Sequence, residues 1–200
     1  MLSEPATTLT DYAIAVEALV FAGCLACQRQ QAAIKLWMGA FVCLALAASL
    51  GGTVHGFYLE DHLRLELWRS MLCTLSGASF AILTATILTA VPRSQQPIWI
   101  AIATAKALCF LGLAVYYTNF GLGVADYLSA MGLMLLLQLW GGQADILRWM
   151  GAGVVVSAVA AIVQQSGWVL GAFDANGLYH LVQMGAIGLF FRGARLSKDR

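Results

Sequence analysis

Residues 36–59 read LWMGAFVCLALAASLGGTVHGFYL, a run with no Asp, Glu, Lys or Arg and a single imidazole, His55. At about 1.5 Å of helical rise per residue, such a run is long enough to cross a hydrocarbon core roughly 30 Å thick. Apolar runs of the same texture recur at 11–27, 67–91, 97–117, 122–140, 146–170 and 178–191, which with 36–59 makes seven spans. The breaks between them carry polar and turn-forming residues: Gln28-Arg29-Gln30-Gln31, Glu60-Asp61-His62, the stretch from Pro92 to Pro97, Asn119 and Gly121, Gly141-Gly142-Gln143, and Asp174-Ala175-Asn176-Gly177.

Composition supports that reading. Charged residues make up 10% of the 200 and apolar ones 60%, whereas about a quarter of a soluble domain is charged. Buried helices of a soluble protein would need far more polar surface to cover them. The fold class predicted is all-α: a polytopic seven-transmembrane-helix bundle, one domain over 1–200, with no room for a sizeable soluble domain. A net charge of +1 and the lack of a basic stripe argue against a nucleic-acid partner. Small residues at helical spacing, such as Gly51, Gly52 and Gly56 or Gly185 and Gly188, predict close helix packing.

Lys and Arg near span ends are retained on the cytoplasmic side. Arg29, Lys35, Arg93, Arg148, Arg192, Arg195, Lys198 and Arg200 share one side of a seven-span chain, whereas Arg64 and Arg69 lie on the other, among Glu60, Asp61 and Glu66. The N-terminus is therefore expected outside and the C-terminus in the cytoplasm, as in a bacterial inner membrane. Trp37, Trp68, Trp99, Trp140, Trp149 and Trp168 fall near span ends, where interfacial indoles belong. The first span carries Asp11 and Glu17 and follows no basic region, so it is not expected to be a cleaved signal. Cys24-x-x-Cys27 reads as membrane-helix packing rather than a redox or metal pair, and the Arg192–Arg200 run as a topology anchor rather than a lipid-specific site.

Function is sought among the ionisable residues, because a charge in hydrocarbon costs several kcal/mol unless it is paired or hydrated. Asp11, Glu17, His55, Glu66, Asp126, His180 and Gln183 all belong to the outer half of the seven spans. Lys106, near the middle of the fourth span, is the exception, with a stem able to snorkel towards Asp126 or Glu17. His55 and His180 admit three readings. Each can be hydrogen-bonded structurally; both can join a carboxylate (Glu66, Asp11 or Glu17) around zinc, leaving a fourth position open for a bound water; or they can ligate haem as a bis-histidine pair, which ranks last.

A histidine late in span two, an acidic residue opening span three and a histidine early in span seven resemble the alkaline ceramidase and adiponectin-receptor superfamily. Residues 174–184, DANGLYHLVQM, also resemble the last-span motif of an uncharacterised bacterial branch of seven-span proteins. The resemblance implies zinc-dependent hydrolysis of a lipid amide within the membrane, with His55, Glu66 and His180 as metal ligands. It departs from the family at Met184 or Asn176, where a second last-span histidine would stand, and at Gly51 in place of a serine, which leaves Ser49 and Thr53 as the nearest hydroxyls and candidate oxyanion donors. Two functions follow as expectations. One is a zinc hydrolase acting on a lipid amide or ester from the outer side. The other is a non-catalytic seven-helix protein that binds a membrane lipid or other ligand, or serves as an accessory to other membrane subunits.

Overall fold

The computed structural model describes residues 2–28 and 30–200; Met1 and Arg29, the latter one of the orienting basic residues above, lie outside the described residues. The helices are α1 (Pro5–Ala26), α2 (Ala32–Gly56), α3 (Asp61–Ala90), α4 (Gln96–Tyr116), α5 (Phe120–Gly141), α6 (Ala144–Gln165) and α7 (Ala175–Arg195). They form an all-helical membrane bundle. The first six are long and apolar enough to cross a membrane. The seventh is as long as α4 but carries His180, Gln183, Arg192 and Arg195 along its length.

Each apolar run of the sequence falls on one helix, with differences at the ends that have local causes. Helix α1 starts at Pro5 rather than at residue 11, since a proline fits a first turn and Thr8 Oγ1 donates to the Glu4 carbonyl at 2.7 Å. Asp11 is thereby moved from a helix start to a buried position on the second turn. Helix α6 stops at Gln165 rather than 170, because Gly167 at φ +69° takes up the left-handed conformation that ends a helix.

Helix α1 packs on α2 and α7, α3 on α2, α4 and α5, and α6 on α7. Missing side chains set the closest of these approaches. A Cβ on Gly52 would lie 3.0 Å from Asp11 Cβ, and one on Gly56 would lie 2.8 Å from Thr8 Cγ2, so α1 rests on bare α2 backbone. Between α6 and α7, a Cβ on Gly153 would meet Phe190 at 2.6 Å and one on Gly193 would meet Met150 at 2.6 Å. The core is built on Leu25, Ile87, Met131, Met134, Ile146, Met150 and Ile187. Helix α4 stands outside it and buries only Ala103 and Ala114.

The C-terminal tail closes one end of the bundle. Asp199 accepts from the Ala32 and Ala33 amides at 2.7 and 2.8 Å, capping α2. Arg200 Nη1 donates to the Ala90 carbonyl at 2.7 Å, and Arg93 Nε to the Arg200 carbonyl at 2.6 Å, tying down the end of α3. The opposite end, with the N-terminus, holds the site.

Candidate functional site

A cavity of about 790 Å³ lies among α1, α2, α3, α5, α6 and α7. Its walls are mainly apolar, with Ile14, Ala47, Met71, Met131 and Ile187 among them. Val124 and Leu128 of α5 and Ala158 and Ala161 of α6 line it and are all exposed, which places an opening between these two helices. Both helices are long and apolar enough to cross a membrane, so the opening is lateral to the bundle.

The polar end is formed by α1 and α7. His180, Asp11 and Thr10 are 7%, 6% and 4% exposed, and therefore desolvated together. Thr10 Oγ1 lies 2.9 Å from His180 Nδ1, and also 2.9 and 3.0 Å from the Ala6 and Thr7 carbonyls. A hydroxyl whose proton goes to a carbonyl accepts from the ring, which places the imidazole proton on Nδ1 and the lone pair of the neutral ring on Nε2. Nε2 then faces Asp11 Oδ1 at 3.4 Å, a contact that needs a proton on one of the two groups. Asp11 Oδ2 is buried and has no partner among the described residues. The order hydroxyl, imidazole, carboxylate is that of a nucleophilic triad, but Thr10 is not on the cavity wall and its proton is committed to backbone, so it orients the ring. Gly51 keeps the space beside Asp11 open, since a Cβ there would lie 3.6 Å from both carboxylate oxygens.

His55 occupies a different place. With Trp68 it lines both this cavity and a vestibule of about 590 Å³ at the N-terminal end, which includes Glu4, Tyr58, Asp61 and Arg64. Its Nδ1 pairs with Glu4 Oε2 at 3.0 Å, Ser3 Oγ donates to its carbonyl, and its ring meets the Trp68 indole edge-on at 6.2 Å. A second polar patch lies deeper, where Ser157 Oγ is 3.0 Å from Tyr127 OH and accepts from Gln183 Nε2 at 3.2 Å. Among the described residues no Lys or Arg lines the cavity.

Of the candidates named from the sequence, Asp11, His55, His180 and Gln183 line one cavity, and Glu66, Ser49, Thr53, Asp126, Lys106 and Glu17 do not. Glu66 turns to Arg69 one helical turn away, at 2.7 Å. Ser49 donates to the Ala45 carbonyl and Thr53 to the Ser49 carbonyl, both at 2.8 Å, and neither reaches the cavity wall. Asp126 and Lys106 pair with each other between α4 and α5. Glu17 is half-buried on α1, away from the wall, and its Oε2 has no partner among the described residues. Met184 packs against the core, while Asn176 lines the cavity and its Oδ1 accepts from Gln164 Nε2 at 2.9 Å.

His55, Glu66 and His180 do not gather as a metal site, and among the described residues no three His, Cys, Asp or Glu side chains do so. Both His180 nitrogens already face partners, which also disfavours axial ligation of a haem. The donor set as arranged fits neither a three-ligand zinc nor a bis-histidine haem. Sequence reasoning misses Thr10, Tyr127 and Ser157. Ser157 did carry a signal, as the sole hydroxyl residue of α6.

Residues 6–199 match a protein family described as a family of unknown function, DUF6962, and the chain belongs to that family. No curated protein and no solved structure matches it.

Proposed function

We propose that this member of the family binds an amphipathic, lipid-like molecule in the cavity, polar group against Asp11 and His180 and apolar portion towards the opening between α5 and α6. The observation that carries this reading is the unpartnered Asp11 Oδ2, buried at the head of a largely apolar cavity of about 790 Å³. An acceptor buried without a partner costs about 1–3 kcal/mol, which a ligand donor would offset. The volume lies within the roughly 300–1,000 Å³ of small-molecule sites.

The walls also select the polar group. Asp11 and Asp174 line the cavity, and no cationic Lys or Arg does so among the described residues. That favours a hydroxyl, amide N–H or ammonium over a phosphate or carboxylate. The vestibule beyond His55 and Trp68 provides an aqueous exit for a larger head group. Binding is favoured over hydrolysis because the Ser49 and Thr53 hydroxyls are committed to carbonyls off the cavity wall. In a bacterial inner membrane the vestibule would face outward, and a non-catalytic binder of this kind would suit an accessory role beside other membrane subunits.

The test is extraction of protein purified in mild detergent, with mass spectrometry of what is released. Wild type should carry an amphipathic compound near stoichiometry, and Ala161→Phe, which narrows the opening, should carry much less. Equal amounts of the same compounds on both proteins would overturn the reading.

A further inference from the structure

Five arginines at the C-terminal end of the bundle fall into two groups. Arg93 and Arg200 are committed to backbone carbonyls, as described above. Arg148 on α6 and Arg192 and Arg195 on α7 are exposed and have neither a carboxylate nor a hydrogen-bond acceptor among the described residues. Two of them nevertheless converge on one indole, from two helices, and the third lies one turn along α7 over a second ring. The guanidinium carbons of Arg148 and Arg192 lie 5.9 and 5.4 Å from the centre of the Trp149 ring, and that of Arg195 lies 5.8 Å from the Phe191 ring. Gly193 against Met150 holds the two helices together at this level. Asp145 lies in the first turn of the same α6 but pairs with none of the three, and Asp199 is committed to the start of α2.

We propose that this corner of α6 and α7 is a binding site for the phosphate group of an anionic membrane lipid in the cytoplasmic leaflet. A guanidinium presents a planar fork that matches two phosphate oxygens, and cation–π contact with an indole orients the fork while leaving its outer N–H groups free. Tryptophan favours the depth at which lipid phosphates lie. Orientation of the chain by itself asks only for positive charge anywhere on this face, and lysine would meet that need. It does not call for unpaired guanidiniums from two helices gathered around one indole. The site is separate from the cavity, which lies at the opposite end of the bundle.

The experiment is native mass spectrometry of the full chain in detergent, titrated with short-chain phosphatidylglycerol, phosphatidylcholine or inorganic phosphate. Phosphatidylglycerol should bind in preference to phosphatidylcholine. Each of Arg148→Gln and Arg192→Gln should weaken it about fivefold, the equivalent of roughly 1 kcal/mol per basic residue near an anionic surface. Replacing all three arginines by lysine, which keeps the charge, should still weaken it, and Lys35→Gln, on the same face without an aromatic partner, should not. Equal binding of the two lipids would overturn the proposal. So would equal losses at Lys35 and at the arginines, which would reduce the effect to general surface charge, or displacement of the lipid by millimolar phosphate, which would make the site one for free phosphate.

Discussion

Among the described residues two ionisable pairs are buried, and they differ in completeness. Lys106 and Asp126 join α4 to α5 with side chains 12% and 4% exposed. The ammonium also donates to the Asp126 carbonyl at 3.0 Å and stands 4.7 Å from the centre of the Phe110 ring, and no buried atom of the pair is left without a partner among the described residues. Asp11 and His180 join α1 to α7 just as deeply, yet one carboxylate oxygen has no partner and the space beside it is a cavity. A complete pair is a strut. It fastens α4, which has little else to bury, whereas the incomplete pair leaves a hydrogen-bonding position for something outside the chain.

Breaking the complete pair should have the largest effect. Lys106→Met or Asp126→Leu alone leaves an uncompensated polar group and should cost about 3–5 kcal/mol, read by denaturant unfolding in micelles, with most of it recovered in the double variant. Recovery would mark the pair as a strut; failure to recover would mean that the ammonium or carboxylate has another task. Asp11→Asn comes next. It should lower the bound amphiphile about tenfold to a hundredfold, as for the loss of a hydrogen bond to a charged group, while moving the unfolding midpoint of the empty protein little. A large loss of stability with unchanged occupancy would make Asp11 a second strut and erase the contrast.

Thr10→Val keeps the shape but removes the partner of His180 Nδ1, and should cost about 1 kcal/mol of stability together with a several-fold loss of occupancy, because the ring would no longer be held towards Asp11. Glu66→Gln should have the smallest effect. Its pairing with Arg69 is largely exposed, so stability should change by less than about 0.5 kcal/mol and occupancy not at all. A strong effect on occupancy would return Glu66 to the site that the ceramidase-like pattern implied for it.

The site was partly legible in the sequence because an ionisable group in an apolar run stands out against its neighbours. His55 and His180 meet that criterion, and both line the cavity. Glu66 met it less well, sitting three residues before an arginine that takes its carboxylate. Tyr127 is an ordinary residue in a membrane helix and Ser157 stands out only as the lone hydroxyl of α6; their place in the site comes from α5, α6 and α7 bringing a phenol, a hydroxyl and the Gln183 amide within hydrogen-bonding distance. Ser49 and Thr53 are the hydroxyls nearest Gly51, where the ceramidase-like pattern implies a serine. In an apolar helix, however, a hydroxyl satisfies itself on the carbonyl four residues back, which removes both from the cavity.

Hydropathy determined the class of this protein and its helices, and the ionisable residues inside apolar runs pointed to one end of the bundle, because length, apolarity and charge are properties of each segment alone. The partners of the buried charges were decided only by the tertiary structure. Lys106 could have reached Asp126 or Glu17, and His180 could have met Glu66, Glu17 or Asp11; the arrangement of helices assigned Asp126 to the one and Asp11 to the other. That arrangement depends on which small residues allow which backbones to touch. Gly51 and Gly52 admit α1 and its Asp11, and no segment's own hydropathy encodes which neighbour will fill the space they leave.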